Sequence, residues 1–239
     1  VESSSNIFNP ELLRRAFRPE LTLHEGGTEF HNCVVGVDIG KSVNSTVISV
    51  WNTSKSDTQN VANLIYLEEI SPKTGGHDIP YQRERIVNIA HSYGASKLII
   101  DATGIGGAIE QDIRVACMEF GIQFIPFVFT GGPKGSKTQV YRDMVSYLQK
   151  DQVHVPHPEG LEPAEAKLVN KWYREHVDLE YTMDAANKTE KISAPSGKHD
   201  DYCDSTAIAL HAALAMLPSS GTFSSVSIPS KRNLNKGKR

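Results

Sequence analysis

His199-Asp200-Asp201-Tyr202-Cys203-Asp204 runs straight into the small, apolar series Ser205-Thr206-Ala207-Ile208-Ala209-Leu210-His211-Ala212-Ala213-Leu214-Ala215. The series reads as a buried helix, and three carboxylates crowd its first turn. One Asp at a helix N-terminus is ordinary, because the unpaired N–H groups and the positive dipole end favour a negative side chain by about 0.3–1 kcal/mol. Three exceed what capping needs. Asp201 and Asp204 stand three apart and Asp200 and Asp204 four apart, so each pair shares a helical face on which like charges repel. Such a cluster either faces solvent or supplies a cation, and the Ala-rich continuation demands a closely packed partner. What stands opposite this helix decides the fold.

The elements upstream supply the partner. Cys33-Val34-Val35-Gly36-Val37-Asp38-Ile39-Gly40 is a β-branched run that reads as a buried strand. A charge near its end, Asp38, is costly in a core unless paired or bound to metal. Ser45–Trp51 alternates as an antiparallel partner and Asn63–Ile70 as a third strand, giving a meander led by the acidic strand. A helix over Tyr81–Tyr93, stopped by Gly94, leads to Lys97-Leu98-Ile99-Ile100-Asp101, a short buried strand that also ends in Asp. A helix from Ala108 to Phe120 and a strand from Ile122 to Phe129 follow. Strand, helix, strand, helix, strand implies parallel pairing with right-handed crossovers, and Asp101 then stands at a strand's carboxyl end, where open α/β sheets place their chemistry.

Downstream, Gln139–Lys150 and Pro163–His176 read as helices, Val153–Pro156 as a short edge strand, and Leu179–Met183 with Thr189–Ser193 as a hairpin. Val1–Asn32 reads as a linker or arm with one helical candidate from Pro10 to Phe17. The last stretch, 218–239, has no acidic residue and carries Lys231, Arg232, Lys236, Lys238 and Arg239, a basic tail of the flexible kind that contacts acidic partners. The domain itself spans 33–217.

Composition narrows the class. At 239 residues, 39% hydrophobic and 22% charged, the chain is that of a globular protein with a sizeable core. It has no apolar run long enough for a membrane span and no secretory leader, which points to an intracellular protein. Cys33, Cys117 and Cys203 form no CxxC pair, so they read as reduced core thiols rather than a disulfide framework or a zinc site. A net charge of −3 neither announces nor excludes a nucleic-acid binder.

Thr130-Gly131-Gly132-Pro133-Lys134-Gly135-Ser136-Lys137-Thr138 follows a strand and precedes a helix, as a phosphate-binding loop does, but its glycine spacing and Lys position fail the motif. Lys134 and Lys137 remain suited to nucleic-acid phosphates, as do Lys188 and Lys191 just before the acidic helix. Trp51 and Trp172 read as core anchors. If the first and fourth strands are neighbours and the last helix lies across them, Asp38, Asp101, Asp201 and Asp204 converge, with Asp200 beside them. Converging carboxylates need a cation, and oxygen-only ligation selects Mg²⁺ or Mn²⁺. Two such ions are the standard device for in-line attack by water on a phosphodiester.

Val37-Asp38-Ile39-Gly40, Ile100-Asp101-Ala102-Thr103-Gly104 and Ser193-Ala194-Pro195-Ser196-Gly197-Lys198-His199-Asp200-Asp201-Tyr202-Cys203-Asp204-Ser205 together resemble the nuclease domain of phage large terminases, a member of the ribonuclease H-like superfamily with RuvC-type resolvases and transposases. The resemblance spans roughly Cys33 to Leu217. It implies an α/β fold with a mixed central sheet, a three-strand antiparallel meander plus parallel strands, flanked by helices. Position by position, Asp38, Asp101 and Asp201 match the metal-binding acids, Asp204 matches the fourth acid, and Asp200 is an adjacent metal candidate. The implied activity is endonucleolytic cutting of double-stranded DNA at the start and end of viral genome packaging, in the cytoplasm of an infected bacterial host and away from membranes. The implied partners are a terminase ATPase domain in the full-length chain, the portal and the small terminase subunit. The chain itself has no valid Walker loop. Other readings stay open: a RuvC-like resolvase or another ribonuclease H-like nuclease, an ATPase of the actin and sugar-kinase type, and a non-catalytic DNA-binding module.

Overall fold

In chain order the elements are β1 (Ser3–Asn6), α1 (Pro10–Arg14), β2 (Phe17–Arg18), β3 (Cys33–Asp38), β4 (Thr46–Lys55), β5 (Asn60–Ile70), α2 (Ile79–Ser92), β6 (Ala95–Asp101), α3 (Gly107–Glu119), β7 (Gln123–Phe127), α4 (Ser136–Gln149), β8 (Val153–Pro156), α5 (Pro163–Asp178), β9 (Glu180–Asp184), β10 (Thr189–Ser193) and α6 (Asp201–Leu210). A π-type turn over His211–Ala215 closes α6. The computed structural model describes residues 3–24, 26, 30–40, 44–56, 58–74, 78–103, 105–131, 136–184 and 189–215. The basic tail, Lys134 and Lys188 lie outside them.

The main sheet has seven strands in the order β2-β8-β5-β4-β3-β6-β7. β3, β4 and β5 form the expected antiparallel meander, and β6 and β7 add in parallel beyond β3. This is the mixed sheet, an antiparallel meander plus parallel strands flanked by helices, that the resemblance implies.

Local chemistry sets the element ends. Asp78 caps α2 by accepting the Tyr81 N–H, and Gly94 ends the α2 turn at φ +56°. Glu162 N–H donates to Glu165 at the start of α5, with Pro163 in the first turn. Among the described residues no helix is long and apolar enough to cross a membrane.

Two sequence expectations need correction. Val153–Pro156 is not an edge strand: β8 pairs in parallel with β5 on one side and with β2 on the other. The lead-in read as a linker or arm is built into the fold. β1 joins β9 and β10 in a second, three-stranded antiparallel sheet, and Phe8, Leu13 and Ala16 are buried in the core beside α4 and α5. The physical reason is that main-chain pairing gives Ser3–Asn6 a strand without any apolar pattern to announce it.

Alternation along β3 and β6 divides the core. Cys33, Val35 and Val37 with Leu98 and Ile100 face α2 and α3, packing on Ile86, Ile89 and Ile113. Val34 and Ile99 face the other way, onto Ile208 and Ala212. Trp51 and Trp172 are fully buried anchors, and all three cysteines are buried free thiols, as read from the sequence.

Candidate carboxylate site

The face of β3 that carries Val34 also carries Gly36 and Asp38, and the face of β6 that carries Ile99 also carries Lys97 and Asp101. β3 and β6 pair with Val37 opposite Ile100, so Asp38 and Asp101 end neighbouring strands on one face. The helix α6 lies against that face. A Cβ on Gly36 would stand 2.4 Å from the Ser205 carbonyl oxygen and 2.5 Å from Ala209 Cβ, so only glycine lets the helix come this close. Ser205 Oγ donates to the Gly36 carbonyl at 3.0 Å and shares a hydrogen bond with Ser49 Oγ at 2.8 Å. The small residues that follow the acidic cluster therefore fix its height above the strands.

Polarity along α6 matches the face beneath. Its N-terminal end holds Asp200, Asp201 and Asp204 near Asp38 and Asp101, while Lys97 Nζ donates to the Ala212 carbonyl beyond its C-terminal end at 2.9 Å.

The electrostatics report convergence. Burial pushes the Asp38 carboxyl well above the ordinary Asp range, and Asp204, Asp201, Asp101 and Asp200 each push it further by repulsion. Asp201 is raised to about 6, first by burial and also by Asp200, against the pull of His199. Burial likewise raises Asp204, against the pull of Lys137. Asp101 Oδ1 accepts the Thr103 N–H at 2.8 Å, which fixes the turn after β6.

Lys137 is not a surface lysine. Its Nζ donates to Asp200 Oδ2 at 3.0 Å and to Asp204 Oδ2 at 2.8 Å, and the side chain is about one-fifth exposed. Tyr141, one turn further along α4, donates its hydroxyl to Asp204 Oδ1 at 2.5 Å. The loop before α4 is set by Ser136, which accepts the Thr130 N–H and donates to the Val128 carbonyl. Of the four lysines expected to meet DNA, Lys191 is exposed on β10, Lys137 is turned inward onto the acids, and Lys134 and Lys188 lie outside the described residues.

On the far side of Asp201 a second polar group supports α6. Glu175 Oε2 accepts the Tyr202 N–H at 2.9 Å, and burial raises its carboxyl to about 7. Glu69 accepts from Ser45 Oγ at 2.6 Å, from Lys171 Nζ at 2.5 Å and from the Tyr202 hydroxyl at 3.1 Å. Sequence reasoning missed Tyr141, Glu175, Glu69 and Lys171. Only Tyr141 left a signal, its position four residues after Lys137 on one helical face. His199 is half exposed, with Nδ1 3.9 Å from Asp201 Oδ2.

The donor set is all oxygen and strongly self-repelling, which is the chemistry of a hard divalent cation. As the side chains stand, among the described residues no three His, Cys, Asp or Glu groups close into a metal-holding set. An ammonium holds two of the carboxylates instead.

No family model matches the sequence, and no curated protein sequence matches it. Solved structures do. The large terminase nuclease of the thermophilic phage G20c matches over 86% of this chain and 97% of its own, at 22% identity and a TM-score of 0.60. The nuclease domain of the large terminase subunit of the bacterial virus Sf6 matches over 87% and 99%, at 13% identity and 0.66, and a variant of that domain has been solved with manganese. The large terminase of bacteriophage HK97 matches over 89% of this chain but 44% of its own, at 13% identity and 0.56. The fold of this chain is that of the large-terminase nuclease domains.

Proposed function

We propose that this chain is a metal-dependent endonuclease that hydrolyses phosphodiester bonds of double-stranded DNA, acting as the nuclease part of a viral genome-packaging machine. One observation carries the reading: Asp38 and Asp101 end neighbouring strands beneath the acidic N-terminus of α6, held there by the Gly36 contact, in a chain whose fold matches large-terminase nuclease domains.

In this reading Asp38, Asp101 and Asp201 hold Mg²⁺ or Mn²⁺, with Asp204 and Asp200 completing the acidic wall. Two such ions, when bound, supply polarisation of the phosphoryl group and an activated water. The protein's own part is positional. Gly36 and Ser205 fix the height of α6, Thr103 and Asp101 fix the turn beside it, and Glu175 holds the first turn of α6 through the Tyr202 N–H. His199, half exposed beside Asp201, would orient a water or the scissile phosphate. Lys191, Lys134 and Lys188 would meet backbone phosphates of the DNA.

Packaging supplies the proposed partners: a terminase ATPase domain, the portal and the small terminase subunit, in the cytoplasm of an infected bacterium. The test is incubation of supercoiled plasmid with the purified chain and Mn²⁺ or Mg²⁺. Metal-dependent nicking or linearisation is expected, reduced at least about a hundredfold in Asp38→Ala and in Asp201→Ala. Undiminished cleavage by either variant sinks the assignment of that residue, and no cleavage by the parent chain sinks the reading.

A further inference from the structure

Both oxygens of Asp204 are engaged from within the protein: Oδ1 takes the Tyr141 hydroxyl and Oδ2 takes Lys137 Nζ. The same Nζ bridges to Asp200. Asp200 stands at the N-cap of α6 yet makes no side-chain capping bond to the helix, so Lys137 rather than the backbone orients it. The lysine is seated in a built slot. Its Nζ lies 5.1 Å from the centre of the Phe129 ring and 5.9 Å from that of Tyr141, which favours a cation there.

Lys137 bridges only Asp200 and Asp204 among the five aspartates gathered here, so the cluster offers more carboxylate oxygens than one ammonium can hold. A divalent ion on the Asp200–Asp204 side must share or take the oxygens that Nζ now holds. Lysine suits an exchange of this kind, being a compact, strongly hydrated charge on a flexible stem rather than a fixed fork. In a DNA substrate, the group able to satisfy a departing ammonium is the phosphate.

We propose that Lys137 is a displaceable internal counter-ion, holding the Asp200–Asp204 side of the site until a DNA phosphate draws it away, so that divalent-cation binding there is coupled to arrival of the substrate. This rests on the nuclease reading. By thermodynamic reciprocity, DNA then tightens metal binding and metal tightens DNA binding. A site of this kind is poorly loaded when no DNA is present.

The test reads binding, not cleavage. Mn²⁺ is titrated calorimetrically into the DNA-free chain, comparing the parent with Lys137→Met, and with Lys137→Gln should the Met variant fold poorly. The uncharged variants are expected to bind Mn²⁺ about tenfold more tightly, about 1.4 kcal/mol, and Lys137→Arg to stay near the parent. In EDTA, fluorescence anisotropy with a labelled duplex is expected to give weaker binding for the uncharged variants, with a salt slope shallower by about one. Equal Mn²⁺ affinity in parent and variants overturns the counter-ion role alone, and an unchanged salt slope overturns the role of the phosphate. Absence of Mn²⁺ uptake by the uncharged variants as well overturns the counter-ion role, whereas absence of metal-dependent plasmid cleavage by the parent chain overturns the nuclease reading and this inference with it.

Discussion

The strands β3 and β6 present two unlike faces to two unlike layers. Toward α2 and α3 they offer Cys33, Val35, Val37, Leu98 and Ile100, all fully buried in a continuous apolar cluster. Toward α6 they offer Gly36, Asp38, Ile99 and Asp101, of which the carboxylates are crowded against further carboxylates. The same backbone thus carries a continuous apolar cluster on odd positions of β3 and its acidic group on the even face. The acidic face costs free energy in the metal-free protein, because groups buried there resist ionisation, and the opposite face offsets it.

Substitutions on the two faces should separate those roles. The largest effect is expected from Ile100→Ala, which removes a fully buried side chain from the apolar face: unfolding in denaturant should fall by about 2–5 kcal/mol while cleavage per folded molecule persists. Lost cleavage at retained stability would mean that the two faces are not separable.

Next comes Asp201→Asn on the acidic face. The folded carboxyl titrates near 6 against an ordinary 3.8, so its favourable contribution is fully present below about pH 4 and is lost as pH rises through 6. The metal-free Asn variant should therefore be more stable than the parent at pH 8, by up to about 3 kcal/mol, with the gap closing as pH falls toward 4. Comparing two proteins cancels His176, which burial lowers to about 4 and which pulls in the opposite direction. A gap that stays constant with pH breaks the account of Asp201 as a strained acid.

The smallest effect is expected from Gly36→Ala, at the seam between face and helix. Its methyl group must push α6 away, costing about 1–3 kcal/mol in thermal unfolding and lowering cleavage with it. A variant of full stability and activity would show that α6 can move without disturbing the acids.

How much of this was legible in the sequence follows from what each residue announces. Asp38 and Asp101 stand out because a charge in a β-branched run has few bland explanations, and β3, β6 and the meander could be read from the same runs. β1 and β2 could not, since Ser3–Asn6 has no apolar alternation and Phe17–Arg18 is too short to have a period. The flank of β8 depended on β2 and was lost with it. In the site, the glycine-rich loop before Lys137 points to phosphates and says nothing of its contact with Asp200 and Asp204, because its direction is set by α4 and by acids more than sixty positions away. Lys171 and Glu175 have the four-residue spacing of a solvated helix pair, and nothing in that spacing shows that Glu175 is buried under Tyr202.

The seating of α6 on Gly36 also fixes when the acids meet. During translation β3 and β6 leave the ribosome long before residues 201–210, and until then Asp38 and Asp101 end strands with no acidic helix across them. Contacts between such distant parts of a chain close late. A half-made polypeptide therefore holds Asp38 and Asp101 apart from Asp201 and Asp204, and the acidic cluster assembles only once α6 has been synthesised.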